Sequence, residues 1–165
     1  MRINNKRIIP LIHLIYSLLF IGFFVSVLLI FIPISFITAV VSPYVLTGLF
    51  IISIYLFYKF GHQHFEYSSD GETLNIKTQD IFWSKYFEKT IRIVDFPKSK
   101  LVNYKIEQGI KTILELYVTS KRTSNGIAKL KFNISYLNNN EINDLKRSLS
   151  KIIKTNQQNK LGGES

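Results

Sequence analysis

Three side chains able to ligate a metal, His62, His64 and Glu66, alternate in the sequence and would share one face of a strand. A solvated sheet face produces the same alternation, and no further histidine lies nearby, so no metal is expected. The chain has no cysteine, which removes disulfides, thiolate catalysis and cysteine-type zinc sites. Its eight glycines sit singly or near the C-terminal end, so nothing resembles a Gly-rich phosphate cradle. No Ser-His-Asp elbow is present, and the expectation is a non-enzymatic protein without a cofactor.

What remains able to bind something is positive charge. The formal net charge is +10. Lys98 and Lys100 form one pair. Lys121 and Arg122 would be brought beside Lys129 and Lys131 by a hairpin at Asn125-Gly126. These six are the candidate contacts for an anionic ligand or lipid headgroups. Lys146, Arg147, Lys151 and Lys154 add a cationic face to a final helix. The competing explanation for the hairpin cluster is a solvated tip whose lysines protect sheet edges from association. Nucleic acid is not an expected partner, because only Tyr117 and Tyr136 lie near these cations to stack on bases.

The element that must carry these groups to their place of work is the run Ile8–Tyr58, 51 residues without Lys, Arg, Asp or Glu. One helix of that length would measure about 76 Å against a hydrocarbon core of about 30 Å. Two membrane spans are therefore expected, at about Ile9–Ile32 and Val40–Phe60, with the turn in the Pro33–Pro43 segment. Pro10 suits the first turn of the first helix. The run is too long for a signal peptide's apolar region and lacks a small-residue cleavage site. Arg2, Lys6 and Arg7 precede the run, and eighteen cations against eleven acids follow it. The positive-inside rule then places both termini in the cytoplasm of a multi-pass inner-membrane protein. His13 is the one histidine within the run, but no chain of polar groups continues a proton path from it.

After Gly61 the periodicity changes to alternation. Phe65 and Tyr67 face one side before Asp70-Gly71, and Leu74 and Ile76 after it, which predicts a two-residue hairpin pairing Tyr67 with Leu74 and Phe65 with Ile76. Ile81–Trp83 and Tyr86–Ile93 give a less regular strand region that ends at Phe96-Pro97. Val102, Tyr104 and Ile106 alternate next. Leu114, Leu116 and Val118 face Leu130, Phe132 and Ile134 across a predicted three-residue loop, Ser124–Gly126, pairing Val118 with Phe132 and Leu116 with Ile134. Asn138 and Glu141 have capping-box spacing, with Leu137 and Ile142 in the staple positions. Ile142, Leu145, Leu149, Ile152 and Ile153 then form one stripe of an amphipathic helix over about Asn139–Thr155.

Six to seven antiparallel strands followed by one helix, behind two spans, resemble bacterial membrane proteins with a pleckstrin-homology (PH)-like domain. The residues that carry the likeness are Tyr67–Leu74, Phe96–Val102 and the terminal helix. The resemblance implies a membrane α-helical hairpin plus an α+β domain, a PH-like antiparallel β-barrel closed by its C-terminal helix. The organisation expected is a cytoplasmic segment 1–8, a hairpin 9–60, a PH-like domain 61–155 and a flexible tail 156–165. Phosphoinositide-binding members carry Lys and Arg around the first hairpin loop, where this chain has Ser69-Asp70-Gly71-Glu72. Two functions are compatible with the layout. One is a membrane-anchored module for protein interaction, scaffolding or membrane-surface sensing, with the bilayer and a protein partner, or self-association through the hairpin, as its contacts. The other is an effector whose barrel binds a small nucleotide-like anion and whose hairpin oligomerises to disrupt the membrane.

Overall fold

The computed structural model describes residues 1–32, 42–60, 62–81, 91–121, 123 and 125–162. They form two compact units, Met1–Lys6 with Gln63–Ser165, and Arg7–His62. The expected division at residue 8 is therefore corrected, because the first six residues belong to the α+β unit. They do so as a strand, β1 (Arg2–Asn4), which no alternation in so short a segment could announce.

The apolar unit contains α1 (Ile9–Phe31), with Pro10 in its first turn, and α2 (Pro43–Phe60). Tyr16 meets the Phe57 ring edge-on at 4.9 Å, Gly22 lies against Phe50, and Thr47 Oγ1 donates to Ser26 Oγ at 3.1 Å. Ascending positions on α1 thus meet descending positions on α2, so the two run antiparallel. Gly22 allows this close approach: a Cβ there would meet the Phe50 ring, which would have to shift. His13 is on the exposed side of α1. Lys6–Phe31 is long and apolar enough to cross a membrane, whereas the second apolar helix, Pro43–Lys59, is shorter. The described residues thus give one helix of spanning length where two spans are expected. The expected turn falls within residues 33–41, outside the described residues.

The other unit holds two antiparallel sheets. One has the order β1-β2-β3-β4, with β2 at Gln63–Ser68, β3 at Thr73–Asp80 and β4 at Ile91–Pro97. The second has the order β5-β6-β7, at Leu101–Glu107, Ile113–Thr119 and Ile127–Asn133. A 3-10 turn, Lys98–Lys100, carries the chain from one sheet to the other. The sheets do not close into the expected barrel. They share one core, in which Phe65, Tyr67 and Ile76 meet Leu114, Leu116 and Ile134 under Leu145 and Leu149 of α3 (Asn139–Gly162). Each such side chain contributes about 1.5–3 kcal/mol by leaving water, before entropy is counted. Of the expected third strand region, residues 82–90 lie outside the described residues.

Both expected hairpin registers are corrected, though the inward faces stand. Tyr67 pairs with Ile76 rather than Leu74, and Phe65 with Thr78. A two-residue Asp-Gly turn requires positive φ at both positions, but only Gly71 has it, at +66°. Ser69 N–H instead donates to the Met1 carbonyl at 2.9 Å, and Asp70 pairs with the Met1 ammonium, so β1 holds this side of the turn. In the second hairpin Val118 pairs with Ala128 and Leu116 with Leu130. Ser120 N–H donates to the Gly126 carbonyl at 2.9 Å, which leaves a longer loop than the three residues expected, although Gly126 is left-handed, φ +68°. Both shifts are even, so each side chain keeps its face. Val102 departs from the expected alternation. A bulge between Leu101 and Asn103 buries Leu101 and leaves Val102 37% exposed.

The capping box forms as expected. Glu141 N–H donates to Asn138 Oδ1 at 2.7 Å, and Asn138 N–H to Glu141 Oε2 at 2.8 Å. The helix continues beyond Thr155 to Gly162, over residues expected to be a flexible tail. Asn156 explains part of this, since its amide donates to the carbonyls of Lys98 (2.8 Å) and Leu101 (2.9 Å).

β1 is latched by a buried amide. Asn5 Oδ1 accepts the Phe65 N–H at 2.8 Å, and Asn5 Nδ2 donates to the Gln63 carbonyl at 3.1 Å. His64 Nδ1, 2.7 Å from Asn5 Oδ1, must then be the donor, and burial lowers the His64 pKa, keeping the ring neutral. Asn5→Ala would strand these partners in a buried site, and we expect a loss of about 2–3 kcal/mol, read by chemical denaturation of the full chain in detergent.

Candidate functional site

The five candidate cations among the described residues fall into three groups. Lys129 and Lys131 do not reach a hairpin-tip cluster. They stand on the outer face of the second sheet, where Glu115 lies between Leu114 and Leu116 on β6. Glu115 is only 1% exposed, with Lys129 Nζ at 2.8 Å and Lys131 Nζ at 3.1 Å from its two oxygens. Tyr117 Oη donates to the same carboxylate at 3.1 Å. The Lys129 hydrogen bond leads in pulling the Glu115 carboxyl from 4.5 down to about 2, outweighing the upward push of burial. The register places Glu115 directly between Lys105 and Lys131. This ladder gives a physical reason for the observed pairing, since the expected register would have put Ser135 opposite the carboxylate. The two lysines are therefore engaged within the fold.

Lys100 and Lys121 come together at a groove of about 700 Å³ between β4 and the β6–β7 end of the second sheet. Val94, Phe96, Val118 and Leu130 supply its apolar surface. The groove lies where the two sheets fail to close. Arg122 is outside the described residues.

Lys98 lines a different cleft, of about 600 Å³, formed by the β2–β3 turn, the Lys98–Lys100 corner and one side of α3. Ser69 and Glu72 come from the turn, and Arg147, Ser148 and Lys151 from the helix. Helical spacing at i and i+4 puts Arg147 and Lys151 on the same side. Beneath them runs a line of hydroxyls: Tyr67 Oη lies 2.8 Å from Ser148 Oγ, which donates to Ser69 Oγ at 3.3 Å. Burial raises the Tyr67 pKa, so its phenol stays protonated. Lys98 itself donates to the Gly71 carbonyl. The helical cations were visible in the sequence, but their meeting with Lys98 was not, because 49 positions separate Lys98 from Arg147.

His64 and Glu66 are committed elsewhere, to Asn5 and to Arg2 respectively. Among the described residues no three His, Asp or Glu side chains are grouped as a metal ion would need. Compared with known proteins, the chain matches no family model, no curated protein and no solved structure.

The Glu115 ladder has a pH signature. A carboxyl lowered on folding contributes stability that is complete above its ordinary 4.5 and is lost as pH falls towards about 2. Glu115→Gln should therefore be less stable than the parent near neutral pH. That difference should shrink between about pH 4.5 and 2, as measured by denaturation across the range.

Proposed function

We propose that the protein is a two-pass membrane protein that presents its α+β unit at the cytoplasmic face as a non-enzymatic interaction module. One observation carries the topology. β1 pairs with β2, Ile3 opposite Tyr67, so the residues before α1 and those after α2 belong to one sheet. A folded sheet lies on one side of a bilayer. If α1 crosses, the chain must cross back before Gln63, and α2 is the apolar helix available for the return. Its 18 residues span about 27 Å, a shortfall that a bilayer meets by local thinning at a modest cost. Cleavage of α1 as a signal sequence would remove β1 together with the buried Ile3 and Asn5. Arg2, Lys6, Arg7 and Lys59 favour the cytoplasm for both ends.

Among the described residues seven strands divided four and three, with a helix over their shared core, support the PH-like reading of the α+β unit in an open form. The groove at the open seam supports a protein partner. Its apolar floor would take an apolar anchor, and Lys100 and Lys121 favour carboxylates beside that anchor.

The absence of cysteine makes topology directly testable. In intact cells a membrane-impermeant maleimide should label Ser35→Cys but leave Ile110→Cys unlabelled until lysis. Labelling of Ile110→Cys before lysis, or a mature protein whose N-terminal sequence starts after α1, would overturn the two-pass reading. For the module, a protein that co-purifies in mild detergent should be lost from Lys100→Glu/Lys121→Glu and retained by Lys129→Gln. Equal retention by all three proteins would refute the groove as its docking surface.

A further inference from the structure

We propose that the cleft between the β2–β3 turn, the Lys98–Lys100 corner and α3 binds a phosphate-bearing anion. Three cations reach it from two separate elements, Lys98 from the corner and Arg147 and Lys151 from the helix. Each keeps donors available. Lys98 Nζ spends one proton on the Gly71 carbonyl and has two more. Arg147 stands 3.7 Å from Asp144, a loose pair that leaves most of its guanidinium edge unused. Lys151 pairs with no carboxylate among the described residues.

Half of the acidic charge of the Ser69–Glu72 turn, which in the sequence argues against an anion here, is taken up within the fold. The Met1 ammonium takes up Asp70, leaving Glu72 as the acid that lines the cleft. Phosphate oxygens need neutral donors as well as charge, and the hydroxyls of Ser69, Ser99 and Ser148 line the same space. The volume of about 600 Å³ is within the range that holds a nucleotide-sized molecule. The cleft walls are fixed, because Asn156 ties the helix to the Lys98 and Leu101 carbonyls directly beside it. An anion would thus meet backbone walls already in place, with Arg147 and Lys151 exposed beside them on the helix surface.

The phosphate could arrive on a soluble ester or as a lipid headgroup, and both present the same chemistry to these residues. The inference does not depend on the membrane topology, so the two proposals fail separately. The test uses the full chain in detergent, titrated calorimetrically with inorganic pyrophosphate. Saturable binding is expected, weakened at least tenfold by Arg147→Gln/Lys151→Gln and unchanged by the charge-matched Lys77→Gln/Lys111→Gln. An unaltered melting temperature would show that the cleft variant is folded. A parallel arm measures co-sedimentation with vesicles of phosphatidylcholine and phosphatidylglycerol in a 3:1 ratio. Cleft-dependent binding of pyrophosphate supports the site with a soluble ligand, and cleft-dependent binding of the vesicles alone supports it with a headgroup. If neither probe distinguishes the cleft variant from the parent, or if the control pair loses binding equally, the proposal is wrong.

Discussion

The rest of this structure depends on three residues, Arg2–Asn4, adding a strand to a sheet whose other strands begin sixty positions later. Closing a chain loop of this length costs on the order of 3–4 kcal/mol in the logarithmic approximation. The ladder to β2, the buried Ile3 and the three hydrogen bonds centred on Asn5 must offset it. Packing of α1 against α2 lowers the effective loop length, because Tyr16 with Phe57 and Ser26 with Thr47 already turn the chain back on itself. The same strand supplies the cation that neutralises Asp70, so the edge of the sheet also sets the charge beside the cleft.

Charge in the α+β unit divides into two kinds by what lies beneath it. Glu115 is buried on the outer face of its sheet, and Lys129 and Lys131 cover it, so these lysines are part of the structure's own balance. Their pairing with this carboxylate makes the two lysines poor candidates for any external ligand. Lys98, Lys100, Lys121, Arg147 and Lys151 have no buried acid to serve. They gather instead around two concavities, one with the hydroxyls of Ser69, Ser99 and Ser148 among its lining, the other lined by Val94, Phe96, Val118 and Leu130. Burial of one acid therefore separates the cations that hold the fold from those available for recognition.

Both hairpins show why a face is easier to infer than a register. Shifting Tyr67 from Leu74 to Ile76, or Val118 from Phe132 to Ala128, moves the pairing by an even number of residues and keeps every apolar side chain inside. Hydrophobic alternation is blind to such a shift. The arbiters were contacts remote in sequence, the Met1 carbonyl on Ser69 in one hairpin and the Glu115–Lys131 pair in the other. A bulge at Leu101/Asn103 broke the alternation outright, and there the pattern misplaced Val102.

The sequence by itself determined whatever depends on local period and local capping. That includes the apolar helices, the inward faces of the strands, the left-handed Gly126, and the helix capped by Asn138 with Leu145 and Leu149 facing the core. Each is written within a dozen residues, where the spacing of side chains along a helix or strand leaves few alternatives. Only the tertiary structure decided that Met1–Lys6 belongs with the α+β unit, that the sheets stay open, and that the helix continues past Thr155 on the Asn156 clamp. It also decided which lysines cover Glu115 and which line the clefts. These outcomes rest on pairings across roughly fifteen to seventy positions, whose energies arise from burial and from complementary charge. Neither leaves a periodic trace in the sequence.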